Sequence, residues 1–112
     1  MGIKKIKSRI WIERNGKPFL GYGKILLLKK IEETSSINAA AKELSISYKK
    51  AWEMMNSINE SGKEPATIKK TGGRNGGGTV VTSYGKELIR QFEEINDNCI
   101  FFLEEQLKKY EL

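Results

Sequence analysis

The segment Thr71-Gly72-Gly73-Arg74-Asn75-Gly76-Gly77-Gly78-Thr79 constrains this chain most, because five of its nine residues are glycine and β-branched runs flank it. Ala66-Thr67-Ile68-Lys69-Lys70 precedes it and Thr79-Val80-Val81-Thr82 follows. Two strand-forming runs joined by a glycine-rich loop predict a β-hairpin. The spacing does not make a Walker-type phosphate loop: Thr79 stands where that motif needs lysine, and a strand rather than a helix follows. The dinucleotide fingerprint fails for the same structural reason. Lys69 and Lys70 lie at the base of the hairpin, and Arg74 and Asn75 at its tip. A hairpin carrying cations in this way suits close approach to a phosphate backbone.

Upstream, Ile6 to Glu13 alternates imperfectly, with Ile6, Ser8, Ile10 and Ile12 on one face, and predicts a strand. Asn15-Gly16 predicts a two-residue turn, because both positions accept positive φ. Lys17 to Leu20 returns as a short strand that Pro18 confines to an edge. A first helix opens at Gly21-Tyr22-Gly23, buries Ile25, Leu27, Leu28 and Ile31, and ends at Thr34-Ser35-Ser36. Asn38 is the expected N-cap of a second helix. Ala39, Ala40 and Ala41 make that helix narrow and permit a close crossing. Leu44-Ser45-Ile46 forms a turn. Ser47 caps a third helix, Tyr48 to about Asn59, with Ala51, Met55 and Ile58 as its buried stripe. Thr82 or Ser83 caps a last helix that runs to the C-terminus.

Helix, tight turn, helix and basic hairpin, in that order, predict a mainly α chain with small β-hairpins: a winged helix-turn-helix over residues 1–82. A long C-terminal dimerisation helix follows over residues 83–112. A DNA major groove admits one α-helix, whose N-terminal residues reach base edges. Ser47, Tyr48, Lys49, Lys50, Trp52, Glu53 and Asn56 are the candidate contacts on the third helix, and Lys69, Lys70, Arg74 and Asn75 those on the wing. Asn can bond adenine bidentately and Glu can accept from cytosine N4. Trp52 borders the buried stripe and suits either packing or base stacking. On the last helix Leu88, Phe92, Ile95, Cys99, Phe102 and, with a shift, Leu103 repeat at threes and fours. A stripe of this length exceeds what so small a body can cover, and a second copy of the chain is the simplest partner.

Charge supports the division. Residues 1–82 carry 16 Lys and Arg against 7 Asp and Glu, whereas residues 83–112 carry 4 against 7. A basic body therefore meets the polyanion and an acidic helix does not. The chain has one cysteine, Cys99, and no histidine. That composition excludes an internal disulfide and removes the usual zinc ligands and histidine bases. Neither a metal nor a cofactor is expected, and an enzyme is the reading with least support. No signal-peptide pattern and no membrane-spanning apolar run is present, which suits a reducing cytoplasm.

Four blocks resemble the N-terminal DNA-binding domain of the ModE family of molybdate-responsive regulators. They are Ser36-Ile37-Asn38-Ala39-Ala40-Ala41-Lys42-Glu43-Leu44, Ile46-Ser47-Tyr48-Lys49-Lys50-Ala51-Trp52, Thr71 to Gly78, and Thr82-x-x-Gly85-x-x-Leu88. The hairpin Asn15 to Gly21 is similar as well. The resemblance implies a cytoplasmic prokaryotic transcriptional regulator that is a homodimer, joined through its long helix and N-terminal strands, and that reads a palindromic operator in double-stranded DNA. Ser45 stands where many members have glycine. The chain ends at Leu112, directly after the long helix, so the resemblance implies a DNA-binding half without the C-terminal molybdate-binding domains, and molybdate sensing is not carried over. Two other readings stand beside this one. One is a protein-interaction module that dimerises and recruits a separate sensor subunit. The other is an oxyanion binder of the molybdate type, built on the glycine hairpin.

Overall fold

The computed structural model describes residues 2–71 and 77–112; the wing positions Arg74 and Asn75 lie outside them. In chain order the elements are β1 (Trp11–Arg14), β2 (Lys17–Gly21), α1 (Tyr22–Thr34), α2 (Ile37–Glu43), α3 (Tyr48–Ser61), β3 (Thr67–Lys70), β4 (Gly78–Val81) and α4 (Ser83–Leu107). β1 pairs with β2 and β3 with β4, both antiparallel, as two separate two-stranded sheets. The predicted architecture of helices with two small hairpins and a long final helix is the one observed.

Local chemistry explains most boundaries. Asn15 and Gly16 have φ of 53° and 77°, the paired left-handed positions of a type I′ turn. Pro18 faces Glu13 beside a β-bulge, on a strand whose missing donor suits an irregular edge. The first strand is shorter than predicted. Residues 2–10 carry no regular secondary structure, because β2 ends at Gly21, opposite Trp11, and offers no partner further back. The cap of α2 is Ser36 rather than Asn38: the Ser36 Oγ accepts from the Ala39 N–H at 3.0 Å. Ser47 caps α3 through the Lys50 N–H, and Thr82 caps α4 through the Gly85 N–H, each at 3.0 Å.

The core lies where α1, α2 and α3 cross. Leu27, Leu28, Ile31 and Ile58 are fully buried, and Ala40, Ala41 and Ala51 fill the crossings where larger side chains would hold the helices apart. Leu44 and Ile46 pack against this core from the turn between α2 and α3. Ser45 between them adopts φ of 56°, the left-handed conformation that glycine reaches without strain. Serine holds that conformation at some conformational cost. Met55, expected in the buried stripe, is only half-buried; Ala51 and Ile58 alone on α3 are fully enclosed.

The apolar stripe of α4 divides into three parts. Leu88, Ile89 and Phe92 are buried in the chain's own core. This corrects the assignment of Leu88 and Phe92 to a dimer interface: they face α1 and β4, not solvent. Beyond Phe92 the extended N-terminal residues lie along the helix. Ser8, Arg9 and Ile10 adjoin Phe92 and Asn96, and Lys4 to Lys7 adjoin Glu104, Leu107 and Lys108. The Lys4 ammonium donates to the Tyr110 carbonyl at 3.1 Å, and Cys99 Sγ lies 3.9 Å from Ser8 Oγ. Cys99 is therefore half-covered by this segment, not held in a core. Ile95 (49% exposed), Phe101 (65%) and Phe102 (60%) remain open to solvent.

Candidate nucleic-acid interface

The side chains of α3 sort into four faces at about 100° per residue. Ala51 and Ile58 face the core. Lys49, Glu53, Asn56 and Glu60 point the opposite way, and three of the four are exposed while Asn56 is half-exposed. The Asn56 Nδ2 donates to Glu60 Oε1 at 3.1 Å, one turn along. Tyr48, Trp52, Met55 and Asn59 form the flank turned toward β3 and β4. They line an open cleft of about 430 Å³ with Ile37 and Lys69 among its other walls. Trp52 is 46% exposed, so it is neither a core residue nor fully presented. Lys50, Met54 and Ser57 form the remaining flank.

Two contacts that no local pattern predicts fix the wing, one to α3 and one to the end of α1. Asn59 Oδ1 accepts from the N–H groups of Ala66 (2.8 Å) and Thr67 (3.1 Å), and its Nδ2 donates to Thr67 Oγ1 (3.0 Å). One side chain thus satisfies two backbone donors at the start of β3 and ties the strand to α3. On the other strand the Thr79 N–H donates to the Ser35 carbonyl at 3.0 Å. Ser35, with φ of 57°, terminates α1 and turns that carbonyl toward β4. A Cβ on Gly78 would lie 2.8 Å from the same oxygen. Glycine is required there for close approach to a rigid backbone, not for a special φ. Gly78→Ala is expected to lower stability by about 1–3 kcal/mol, the usual scale of an overpacked contact. Chemical denaturation checks this, and an unchanged midpoint would refute it.

Charge pairing is confined to part of the described chain. The ion pairs among the described residues join Lys29 to Glu93, Lys30 to Glu33, Lys86 to Glu32, Arg90 to Glu87 and Glu94, and Lys108 to Glu105. All lie on α1 and on α4 or its C-cap. None involves Lys17, Lys24, Lys49, Lys50, Lys69 or Lys70. The Glu93 carboxylate raises the Lys29 ammonium above its ordinary pKa through a hydrogen bond. Lys24 is shifted the other way, first by burial and then by the charge of Lys50. Among the described residues Lys17, Lys49, Lys50, Lys69 and Lys70 thus have no carboxylate partner, whereas Lys29, Lys30, Lys86, Arg90 and Lys108 are paired within the chain.

Among the described residues no three metal-ligating side chains converge, and no helix is long and apolar enough to cross a membrane. Of the predicted positions, Lys49, Glu53 and Asn56 share the outward face of α3, and Tyr48 and Trp52 turn toward the wing. Lys50 lies on the far flank, and Ser47 acts as the helix cap. Lys69 and Lys70 are exposed on β3. Sequence reasoning missed Asn59, Gly78, Ser35 and Lys24, whose roles depend on partners distant along the chain.

A helix-turn-helix followed by a two-stranded wing and a long helix defines a winged-helix protein. Over most of its length the chain is homologous to the N-terminal region of the ModE transcriptional regulators. It is 39% identical over 91 residues to the transcriptional regulator ModE of Haemophilus influenzae, covering 81% of this chain and 36% of that protein. It is 40% identical over 95 residues to the molybdenum transport protein ModE of Azotobacter vinelandii, covering 85% and 35%. It is 40% identical over 77 residues to the DNA-binding transcriptional dual regulator ModE of Escherichia coli K12, covering 69% and 29%. The chain thus spans about a third of the length of these relatives. No family model matches the chain.

Proposed function

We propose that this chain is the DNA-binding region of a cytoplasmic transcriptional regulator that reads a palindromic site in double-stranded DNA as a homodimer. The outward face of α3 carries the proposal. Lys49, Glu53 and Asn56 stand there together, on a helix flanked by lysines with no carboxylate partner among the described residues. These three side chains meet base edges in the major groove, and the wing, residues 69–80, meets the backbone or the minor groove. The names of the relatives support a regulator and not an enzyme.

Unbiased selection of bound duplexes, followed by the mass of the complex, is the direct test. The expected result is a two-fold symmetric sequence with two chains bound. Each phosphate neutralised lowers log K by about 0.9 per decade of salt. Lys69→Ala and Lys70→Ala are expected to weaken binding to all duplexes alike, each reducing that slope by about 1. Failure to enrich any sequence, together with binding indifferent to salt, would overturn the proposal.

A further inference from the structure

The flank of α3 turned away from the wing carries charge that the wing and the outward face leave unused. Lys50, Met54 and Ser57 form it, roughly half a turn around the helix from Tyr48, Trp52 and Asn59. The N-terminal hairpin packs on this side. A Cβ on Gly23 would lie 3.7 Å from Met54 Cε, so the start of α1 touches α3 here. Lys24 ties the three elements together: its Nζ donates to Ser57 Oγ at 3.0 Å and to the carbonyls of Pro18 (3.3 Å) and Phe19 (3.4 Å). Its donors are directed at protein acceptors, so Lys24 acts as a strut between β2 and α3.

Further cations lie on the hairpin held by this strut and on this flank of α3. Lys17 directly precedes Pro18 at the exposed end of the hairpin. Arg14 pairs with Lys17 across the strands, and its guanidinium lies 5.5 Å from the centre of the Phe19 ring. Lys50 is exposed and close enough for its charge to act on Lys24. Among the described residues none of Arg14, Lys17, Lys24 and Lys50 has a carboxylate within ion-pair distance. The acid nearest Arg14 and Lys17 in sequence, Glu13, accepts from Trp11 Nε1 at 3.1 Å. The hairpin end and this flank of α3 thus present cations with no ion-paired carboxylate, an arrangement that favours an arriving polyanion.

We propose that the β1–β2 hairpin is a second wing, in which Lys17, together with Lys50, contacts the DNA phosphate strand on the side of α3 opposite the β3–β4 wing. The proposal rests on the DNA-binding reading of α3. A major groove about 12 Å wide is bordered by a phosphate strand on each side. An α-helix with its side chains is about 10–12 Å across. A helix seated in the groove therefore meets both strands, and cations on both flanks match both.

Lys17→Ala tests the idea in the whole chain, because an exposed residue at the start of β2 can be truncated without disturbing the core. Binding is measured against salt on a selected duplex and on random duplexes, beside a Lys69→Ala, Lys70→Ala variant. Lys17→Ala is expected to weaken binding to every duplex and to lower the salt slope by about 1, with base preference unchanged. Lys17→Glu is expected to weaken it further. Adding the substitution to the wing variant is expected to lower the slope again, because the two contact different strands. An unchanged slope in Lys17→Ala, while the wing variant lowers it, would overturn the second wing and leave the DNA-binding reading intact. A loss confined to one sequence would overturn it as well, since that marks a base contact. Absence of salt-dependent binding in the unsubstituted chain would instead defeat the underlying reading.

Discussion

Replacing Ile95 and Phe102 with glutamate is expected to convert a two-chain particle into a folded single chain. Both side chains lie beyond the part of α4 that the body covers, and both are about half exposed or more. The helix runs for 25 residues, and its outer half carries Ile95, Phe101 and Phe102 into solvent. The N-terminal segment shields Cys99 and Leu107 but leaves that edge open. An aromatic and aliphatic edge of this kind is normally covered in the working form of a soluble protein. Phe92 is unsuited to the test, because at 2% exposure it belongs to the core and a charge there would unfold the chain. Light scattering reads the mass and circular dichroism the fold. Loss of the second chain removes one of two linked half-site contacts, which is expected to lower affinity for a palindromic duplex by about 10²–10⁴. A mass of one chain for the unsubstituted protein at micromolar concentration would end the idea.

Features that depend on a few neighbouring residues were legible in the sequence. Asn15-Gly16 specifies its turn because two adjacent residues must both tolerate positive φ. Ser47 and Thr82 mark helix starts because a cap needs only its own hydroxyl and the N–H three residues on. The cap of α2 shows where this fails. Ser36 and Asn38 are both competent, and Ile37, packed against the core, decides that the helix begins before Asn38. The α4 stripe shows a deeper limit. Apolar residues at threes and fours look alike whether the cover is the chain's own core, its N-terminal segment or a second copy. Leu88, Cys99 and Phe102 continue one pattern yet meet three different surroundings. Of the candidate interface, the outward residues of α3 were legible from helical periodicity. Asn59, Lys24 and the Ser35 carbonyl were not, since each works through a partner that periodicity does not identify.

Substitutions along α3 are expected to separate into two kinds of loss. Ile58 is fully buried beside Leu27, Leu28 and Ile31 at the helix crossing. Ile58→Ala removes buried methyl groups and leaves a cavity, which costs about 2–5 kcal/mol. For a domain of this size that is a large share of the total stability. The protein that remains folded is expected to keep its base preference. Lys49→Ala and Asn56→Ala are expected to leave the unfolding midpoint nearly unchanged and to relax preference at one position per half-site, appearing twice by symmetry. The Asn56 amide keeps the groups that such a contact would use. One N–H is held by Glu60 at 3.1 Å, leaving a second N–H and the carbonyl oxygen for a bidentate bond to adenine. The loss is about 1–3 kcal/mol of discrimination. Met55, half-buried on the cleft wall with Trp52, falls between the two kinds, and its truncation is expected to lower stability less than that of Ile58. Unfolding midpoints measured beside base-by-base binding profiles give the partition. If Ile58→Ala altered base preference in folded protein while Lys49→Ala and Asn56→Ala left it untouched, α3 would be meeting DNA through a different face.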